Sequence, residues 1–207
     1  QMKPEDRFKL YLTNTLDVTT AAQGTLPGLS PLAEESHMAE MVKVDEPVLV
    51  IMGNPPYSGV SSNKGPWIKK LIEDYKKVDG KPLGEKNPKW LQDDYVKFIR
   101  FAQWKIDQVG EGVLGFITNH SYLDNPTFRG MRQSLMASFD QIHILNLHGN
   151  AKKKEQAPDG TKDENVFDIQ QGVAIILAIK KQGLARGVWQ ADLWGTREAK
   201  YNTLART

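Results

Sequence analysis

Residues 47–57 read Pro47-Val48-Leu49-Val50-Ile51-Met52-Gly53-Asn54-Pro55-Pro56-Tyr57, an apolar run that stops on a glycine and then on consecutive prolines. Apolar residues at successive rather than alternate positions are the pattern of a strand covered on both faces, as in a parallel sheet. In an open α/β sheet, ligands bind beyond the carboxyl ends of the strands, and Asn54 to Tyr57 fall at such an end. Each proline fixes its own φ and biases the residue before it toward extended conformations. The turn is therefore stiff, and no helix takes up its carbonyls. Asn54 adds a side-chain carbonyl beside the Pro55 main-chain carbonyl, and Tyr57 adds a flat ring.

The same alternation continues on either side. Upstream, Lys9 to Leu16 (KLYLTNTL) reads as a strand. Pro31 to Val42 reads as a helix with Ser30 as its N-cap and Leu32, Met38 and Met41 at roughly helical spacing. Downstream, Asp93 to Val109 is a predicted helix with Tyr95, Phe98, Ile99, Ala102 and Ile106 on one side. Gly112 to Thr118 is a strand, and Pro126 to Phe139 a helix with proline near its first turn, a favoured place. Ile142 to Leu147 and Gly172 to Ile179 are further strands. Residues 58–90, rich in Gly, Pro, Ser, Asn and Lys, read as a long inserted loop with a short helix at Pro66 to Lys77. Strands alternating with helices predict an α/β fold, a mostly parallel sheet with helices on both faces. No helix separates the last two strands, which predicts an antiparallel C-terminal hairpin.

Composition excludes more than it selects. The 27 basic and 25 acidic residues leave a net charge of +2, which neither demands nor forbids a nucleic-acid partner. The absence of cysteine rules out disulfides, thiol catalysis and cysteine-ligated metal. The four histidines, His37, His120, His143 and His148, lack ligand spacing, so no metal site is expected. His120, Ser121 and Asp124 lie too close together, without a nucleophile elbow, to form a hydrolase triad. No apolar run approaches the ~20 residues of a membrane-spanning helix, and no secretory signal opens the chain. A cytoplasmic protein with no membrane partner is the default expectation.

The chemistry that suits the turn is transfer to an amino group on a planar ring. Such an amine is a poor nucleophile because its lone pair is delocalised into the ring. Hydrogen bonds accepted from its protons favour a tetrahedral nitrogen and aim the lone pair at an electrophile, stabilising charge that develops in the transition state. No general base is needed before attack, since the proton can leave afterwards.

Asn54-Pro55-Pro56-Tyr57 in this position is the signature of amino-group methyltransferases. The chain resembles the gamma class of DNA adenine-N6 methyltransferases, of the kind fused into large single-chain restriction–modification enzymes, over almost its whole length. The resemblance implies a Rossmann-like methyltransferase sheet, S-adenosylmethionine as cofactor, double-stranded DNA as partner, and Asn54, Pro55, Pro56 and Tyr57 as the catalytic turn. It implies that Asn14 and Thr15, with Asn54 and Phe98 of the Asp94-Tyr95-Val96-Lys97-Phe98 helix start, hold the cofactor. Asn14 stands where the family usually has an acidic residue. Asn165-Val166-Phe167 resembles the segment whose aromatic ring sandwiches the flipped base against the tyrosine, which makes Phe167 the second ring. Core packing is an alternative for Phe98 and Phe167, and turn closure for Asn14. Flipping costs a few kcal/mol of unstacking. Stacking of about 1–3 kcal/mol per base offsets part of it.

The family's glycine-rich turn does not precede the first strand. The expectation is therefore that residues 1–207 form a partial catalytic domain whose N-terminal strands lie upstream in a longer parent chain, with a recognition domain downstream. Eight lysines lie between Lys64 and Lys89, and Lys152-Lys153-Lys154 form a second cluster. In a parallel arrangement both lysine-rich loops leave the carboxyl ends of strands, where Lys64, Lys69, Lys152, Lys153 and Lys154 would meet DNA phosphates. Alternatives are a protein-glutamine methyltransferase, a cytosine-N4 enzyme and a non-catalytic DNA-binding module. Arg197 and Lys200 resemble a segment that follows the methyltransferase core in the fused enzymes, with no role derivable from sequence.

Overall fold

The computed structural model describes residues 10–11, 13–17, 31–59, 61–85 and 88–206. The cap expected at Ser30, and Lys9 and Leu12 of the first expected strand, lie outside these residues. The strands are β1 (Val50–Gly53), β2 (Lys77–Val78), β3 (Lys81–Pro82), β4 (Gly112–Asn119), β5 (Gln141–His148), β6 (Val173–Lys180) and β7 (Gly187–Asp192). The helices are α1 (Pro31–Val44), α2 (Pro66–Ile72), α3 (Asp94–Val109), α4 (Arg129–Ser138) and α5 (Arg197–Leu204). Five strands form one sheet in the order β1-β4-β6-β5-β7. β1 runs parallel to β4 and β5 parallel to β7, while β6 lies antiparallel between β4 and β5. The four parallel strands therefore end along one edge. The turn after β1 and the long loop after β5 both leave from it.

The expected α/β fold and C-terminal hairpin are present, and β6 also pairs with β4 over its whole length, from Asn119↔Val173 to Gly112↔Lys180. Alternation along the strands then divides the core. Leu114, Phe116, Ile142, Ile144, Ala174, Ile176 and Ala178 join a cluster with Tyr95, Ile99 and Ile106 of α3 and Met131 and Leu135 of α4. Each large apolar side chain buried there contributes about 1.5–3 kcal/mol. Near the carboxyl edge of the other face, Leu147 and Val173 are covered by Val166, with Phe167 and Leu204 of α5 beside them. Farther from that edge the second face is more open, with Leu177 and Trp189 40% and 46% exposed.

Several expectations are corrected. The described residues of the expected first strand form no strand. Asn14 Oδ1 accepts the Leu16 amide at 3.1 Å and the Asp17 amide returns to the Asn14 carbonyl at 3.1 Å, closing a turn that drops Leu16 into a small core with Ile68 and Phe101. The run at 47–52 is a strand only from Val50, and it is not buried on both sides. Among the described residues β1 pairs with β4 alone, and Val50 and Met52 are 59% and 79% exposed. Residues 58–90 are more ordered than a loop with one helix, holding α2, a 3-10 turn at Glu73–Lys76 and the β2–β3 hairpin. The expected helix at Pro126 to Phe139 opens as a 3-10 turn, Pro126–Phe128, before α4 begins.

Candidate active site

β1 delivers Asn54 to the carboxyl edge of the sheet, with Pro55 buried, Asn54 and Pro56 exposed and Tyr57 half-buried. The Tyr57 hydroxyl lies 3.1 Å from Asn54 Oδ1 and 3.2 Å from the Ile117 carbonyl of β4. One phenolic proton serves both acceptors, so the tyrosine ties the asparagine side chain to the neighbouring strand. Burial pushes the Tyr57 pKa up to about 12, so the phenol stays a donor even in mildly alkaline solution, where a free tyrosine would begin to ionise. The ring meets Tyr95 edge-on, centroids 6.2 Å apart at 89°. Tyr57→Phe keeps the ring and removes the tie. Its expected cost is about 0.5–1.5 kcal/mol, the net value of one such bond, read as a lowered urea midpoint with an unchanged slope.

The start of α3 anchors the chain that leaves this turn. Asp93 Oδ1 accepts the Ser58 amide at 3.1 Å. Burial raises the Asp93 pKa, against backbone hydrogen bonds from Gly59, Ser58 and Asp94 that lower it. Asp94 behaves oppositely. Burial works to raise its pKa too, but hydrogen bonds from Asn63, Ser61 and Ser58 outweigh it and hold the carboxyl below its usual range. Lys97, 1% exposed, completes the cluster by donating to Ser61 Oγ at 2.9 Å and to the Asn63 carbonyl at 2.5 Å. Nothing in the sequence reading singled out Asp93, Ser61 or Asn63, because polar loop residues acquire meaning only from what they touch.

The residues expected near a cofactor are held in different ways. Asn14 is engaged structurally, donating from Nδ2 to Asn63 Oδ1 at 2.9 Å while its Oδ1 holds the Leu16 amide. Phe98 packs against two core clusters. Thr15 lines a cleft of about 470 Å³ along β1 with Thr13, Ile51 and Met52. That volume lies within the ~300–1,000 Å³ of small-molecule sites. Lys43 also lines it, its ammonium taken by the carbonyls of Asn14 at 3.0 Å and Asp17 at 2.8 Å.

Phe167 is half-buried against the Leu147–Val166–Val173 cluster, which Ile117 also joins. Tyr57 packs against the first core cluster while its hydroxyl reaches the Ile117 carbonyl, and Phe167 packs against the cluster on the other face, which the Ile117 side chain also enters. Asn165 shapes the approach, with Oδ1 accepting the Phe167 amide at 2.9 Å and Nδ2 donating to the Gly149 and Gln171 carbonyls at 3.0 and 2.6 Å. Gly149 has φ +78°, and a Cβ there would sit 2.4 Å from Asn165 Cα, so the close approach needs glycine. The lysines separate into groups. Lys152 and Lys153 line a pocket of about 300 Å³ whose wall mixes Asp93, Asn119 and Asn150 with the rings of Trp90, Tyr95 and Phe128, and neither Lys64 nor Lys69 lines it. Lys153 is also paired with Asp124 at 3.1 Å. Lys154 is exposed in the turn after β5, at φ +52°.

Two of the histidines are not scattered in space. His120 and His148 come together with Glu155 so that one ligand atom from each lies within 4.8 Å of the others. Their ring nitrogens already have polar partners. Asn150 Nδ2 lies 3.1 Å from His120 Nε2, and His120 Nδ1 lies 3.1 Å from Asn146 Oδ1. Asn146 Nδ2 is 3.4 Å from His148 Nδ1, and His148 Nε2 is 2.8 Å from Asp192 Oδ1. One set of neutral tautomers makes this a single directed chain of donors from the pocket wall at Asn150 to Asp192 on β7. Trp194 stacks on His148 at 3.3 Å. Asn146, His148 and Asn150 lie together at the end of β5, but His120 and Asp192 come from elements some 25–45 residues away in the chain, so no local spacing announced it.

No protein-family model matches the sequence, and no curated protein does. Solved structures do match. The chain is 30% identical to the ATP-dependent Type ISP restriction-modification enzyme LlaBIII bound to DNA, with TM-score 0.73, covering 94% of this chain and 13% of that one. A nuclease-deletion mutant of the Type ISP restriction-modification enzyme LlaGI, in complex with a DNA substrate mimic, is 26% identical with TM-score 0.71, over 84% of this chain and 17% of that one. The DrdV–DNA complex is 26% identical with TM-score 0.75, over 98% of this chain and 20% of that one. The chain thus shares its fold and a quarter or more of its aligned residues with a segment spanning 13–20% of each of these DNA-bound proteins.

Proposed function

We propose that this chain carries the catalytic turn of an S-adenosylmethionine-dependent DNA methyltransferase within a restriction–modification enzyme, acting on the N6 amino group of an adenine flipped from double-stranded DNA. The observation that carries the reading is the Asn54–Tyr57 turn at the carboxyl edge of the sheet, its asparagine carbonyl tied by the tyrosine hydroxyl to β4. Likeness to segments of restriction–modification enzymes solved with DNA supports the substrate class.

Asn54 Oδ1 and the Pro55 carbonyl accept the two amino protons of the target. The nitrogen is drawn toward tetrahedral geometry, with its lone pair localised at the moment of transfer. The Tyr57 ring stacks on one face of the base and Phe167 on the other. Lys152 and Lys153 hold phosphates, which position the strand without reading its sequence. The cleft along β1 lined by Thr15 and Met52 fits a small-molecule cofactor by volume and by its position beside the strand that ends in Asn54. S-adenosylmethionine held there would supply an electrophilic methyl carbon, its methyl–sulfur bond breaking as the nitrogen–methyl bond forms and the sulfur leaving as a neutral thioether. The Asn54 and Pro55 carbonyls orient the amino protons throughout, and the surplus proton passes to water.

The test is to give the protein that carries these residues, at its natural full length, labelled S-adenosylmethionine and duplex DNA, and to identify the methylated nucleoside. N6-methyladenine is the expected product. N4-methylcytosine would change the substrate base, label on a protein glutamine would replace the substrate class, and DNA binding without transfer to either would leave a binding module.

A further inference from the structure

Helix α5 follows the sheet, and its Arg197, Lys200 and Tyr201 side chains reach the strap that carries Phe167. The Glu164 carbonyl accepts Lys200 Nζ at 2.6 Å, the Asn165 carbonyl accepts Arg197 Nε at 2.8 Å, the Val166 carbonyl accepts the Tyr201 hydroxyl at 2.5 Å, and the Phe167 carbonyl accepts Arg197 Nη2 at 3.0 Å. Four consecutive backbone carbonyls are thus taken, one after another, by side chains of a single helix. Backbone acceptors that leave water must find partners, and in helices and sheets the backbone itself provides them. Residues 164–167 lie in neither, so α5 supplies the partners from outside. Arg197, Lys200 and Tyr201 stand three and four residues apart, which puts them on one side of the helix. Arg197 also pairs with Asp168 at 2.7 Å, and its backbone amide meets Glu164 Oε2 at 3.0 Å.

We infer that α5 is a positioning element for Phe167, holding the strap in one conformation so that the ring is presented ready to stack on a planar ligand. Arg197 is the residue most specific to this task, because its fork spans two carbonyls and a carboxylate with fixed geometry. Lysine keeps the charge but cannot reproduce that fork. The stacking role of Phe167 is taken from the function proposed above, whereas the clamp can be tested without it.

The first measurement is amide hydrogen exchange over residues 164–170 in the full-length protein, wild type against Arg197→Ala and Arg197→Lys. The expected result is exchange of the Phe167 amide at least tenfold faster in both variants, with β4 and β6 unchanged. Unchanged exchange in the alanine variant, or full protection in the lysine variant, overturns the clamp, since the latter would mean that charge alone suffices. The second measurement is the rate of methyl transfer in a double-mutant cycle. Arg197→Ala and Phe167→Ala are each expected to lose about tenfold, the scale of one stacked base, and the double variant to lose no more than Phe167→Ala alone. Losses that multiply would place Arg197 in a separate role, such as a phosphate contact, and overturn the inference. A protein that transfers no methyl group in any form leaves the exchange result standing, so failure of the functional reading is distinguishable from failure of the clamp.

Discussion

Lys200→Met is expected to lower the unfolding free energy by about 3–5 kcal/mol, the scale for removing one member of a buried ion pair. Lys200 and Asp163 meet at 2.6 Å with both side chains fully excluded from solvent. The three ammonium hydrogens have three acceptors: Asp163 Oδ1 and the carbonyls of Leu147 at 2.7 Å and Glu164 at 2.6 Å. Asp163 in turn accepts the Gly149 amide at 2.7 Å and the Gly195 amide at 3.0 Å. Methionine fills the volume but leaves a buried carboxylate without its cation and two carbonyls without a donor. Against a domain stability of about 5–15 kcal/mol, that is a fifth or more of the total. Lys153→Met is the control, since its partner Asp124 is 68% exposed and such a surface pair contributes about 0–1 kcal/mol. Urea unfolding of the two variants beside wild type decides the matter. Equal midpoints for Lys200→Met and Lys153→Met would remove the pin from the account of what holds the Phe167 strap.

Much of this fold was legible because β4, β5, β6 and α3 announce themselves locally, through apolar runs of strand length and a one-sided apolar helix. β7 did not, because most of its residues are exposed and, among the described residues, it pairs with β5 alone, some 45 residues earlier in the chain by the Gln141↔Gly187 register. The β2–β3 hairpin carried a signal that went unread. Asp79-Gly80 has φ +51° and +71°, and an Asp-Gly pair with both φ positive is the favoured two-residue turn between strands. The error at Lys9 to Leu16 is of another kind. Its apolar residues satisfied the strand pattern, while the short side chain of Asn14 could offer the Leu16 amide a local acceptor, and that turn won. The site divides in the same way. Asn54 to Tyr57 is contiguous and was readable. The Asn150–His120–Asn146–His148–Asp192 chain and the α5 clamp draw on residues that only the sheet brings together, and sequence could show their side chains without showing what they face.

Asn54→Ala is the sharpest test of the proposed chemistry, with methyl transfer expected to fall about 10²–10³-fold, as when one preorganised hydrogen-bonding group aimed at developing charge is removed. The side chain is exposed, and its hydrogen bond among the described residues is with the Tyr57 hydroxyl, which keeps the Ile117 carbonyl as an alternative acceptor. The fold should therefore survive, with a urea midpoint close to wild type. The loss should appear in kcat with little change in DNA affinity, because the ground-state amine, its lone pair still in the ring, gains little from Asn54 compared with the tetrahedral nitrogen of transfer. Tyr57→Phe separates orientation from contact. It leaves Asn54 Oδ1 in place but unties it, so its loss should be smaller than that of Asn54→Ala at equal stacking. A KM rise with unchanged kcat in Asn54→Ala would mean that the asparagine binds the base without activating it, and the rate enhancement would have to come from stacking and alignment alone.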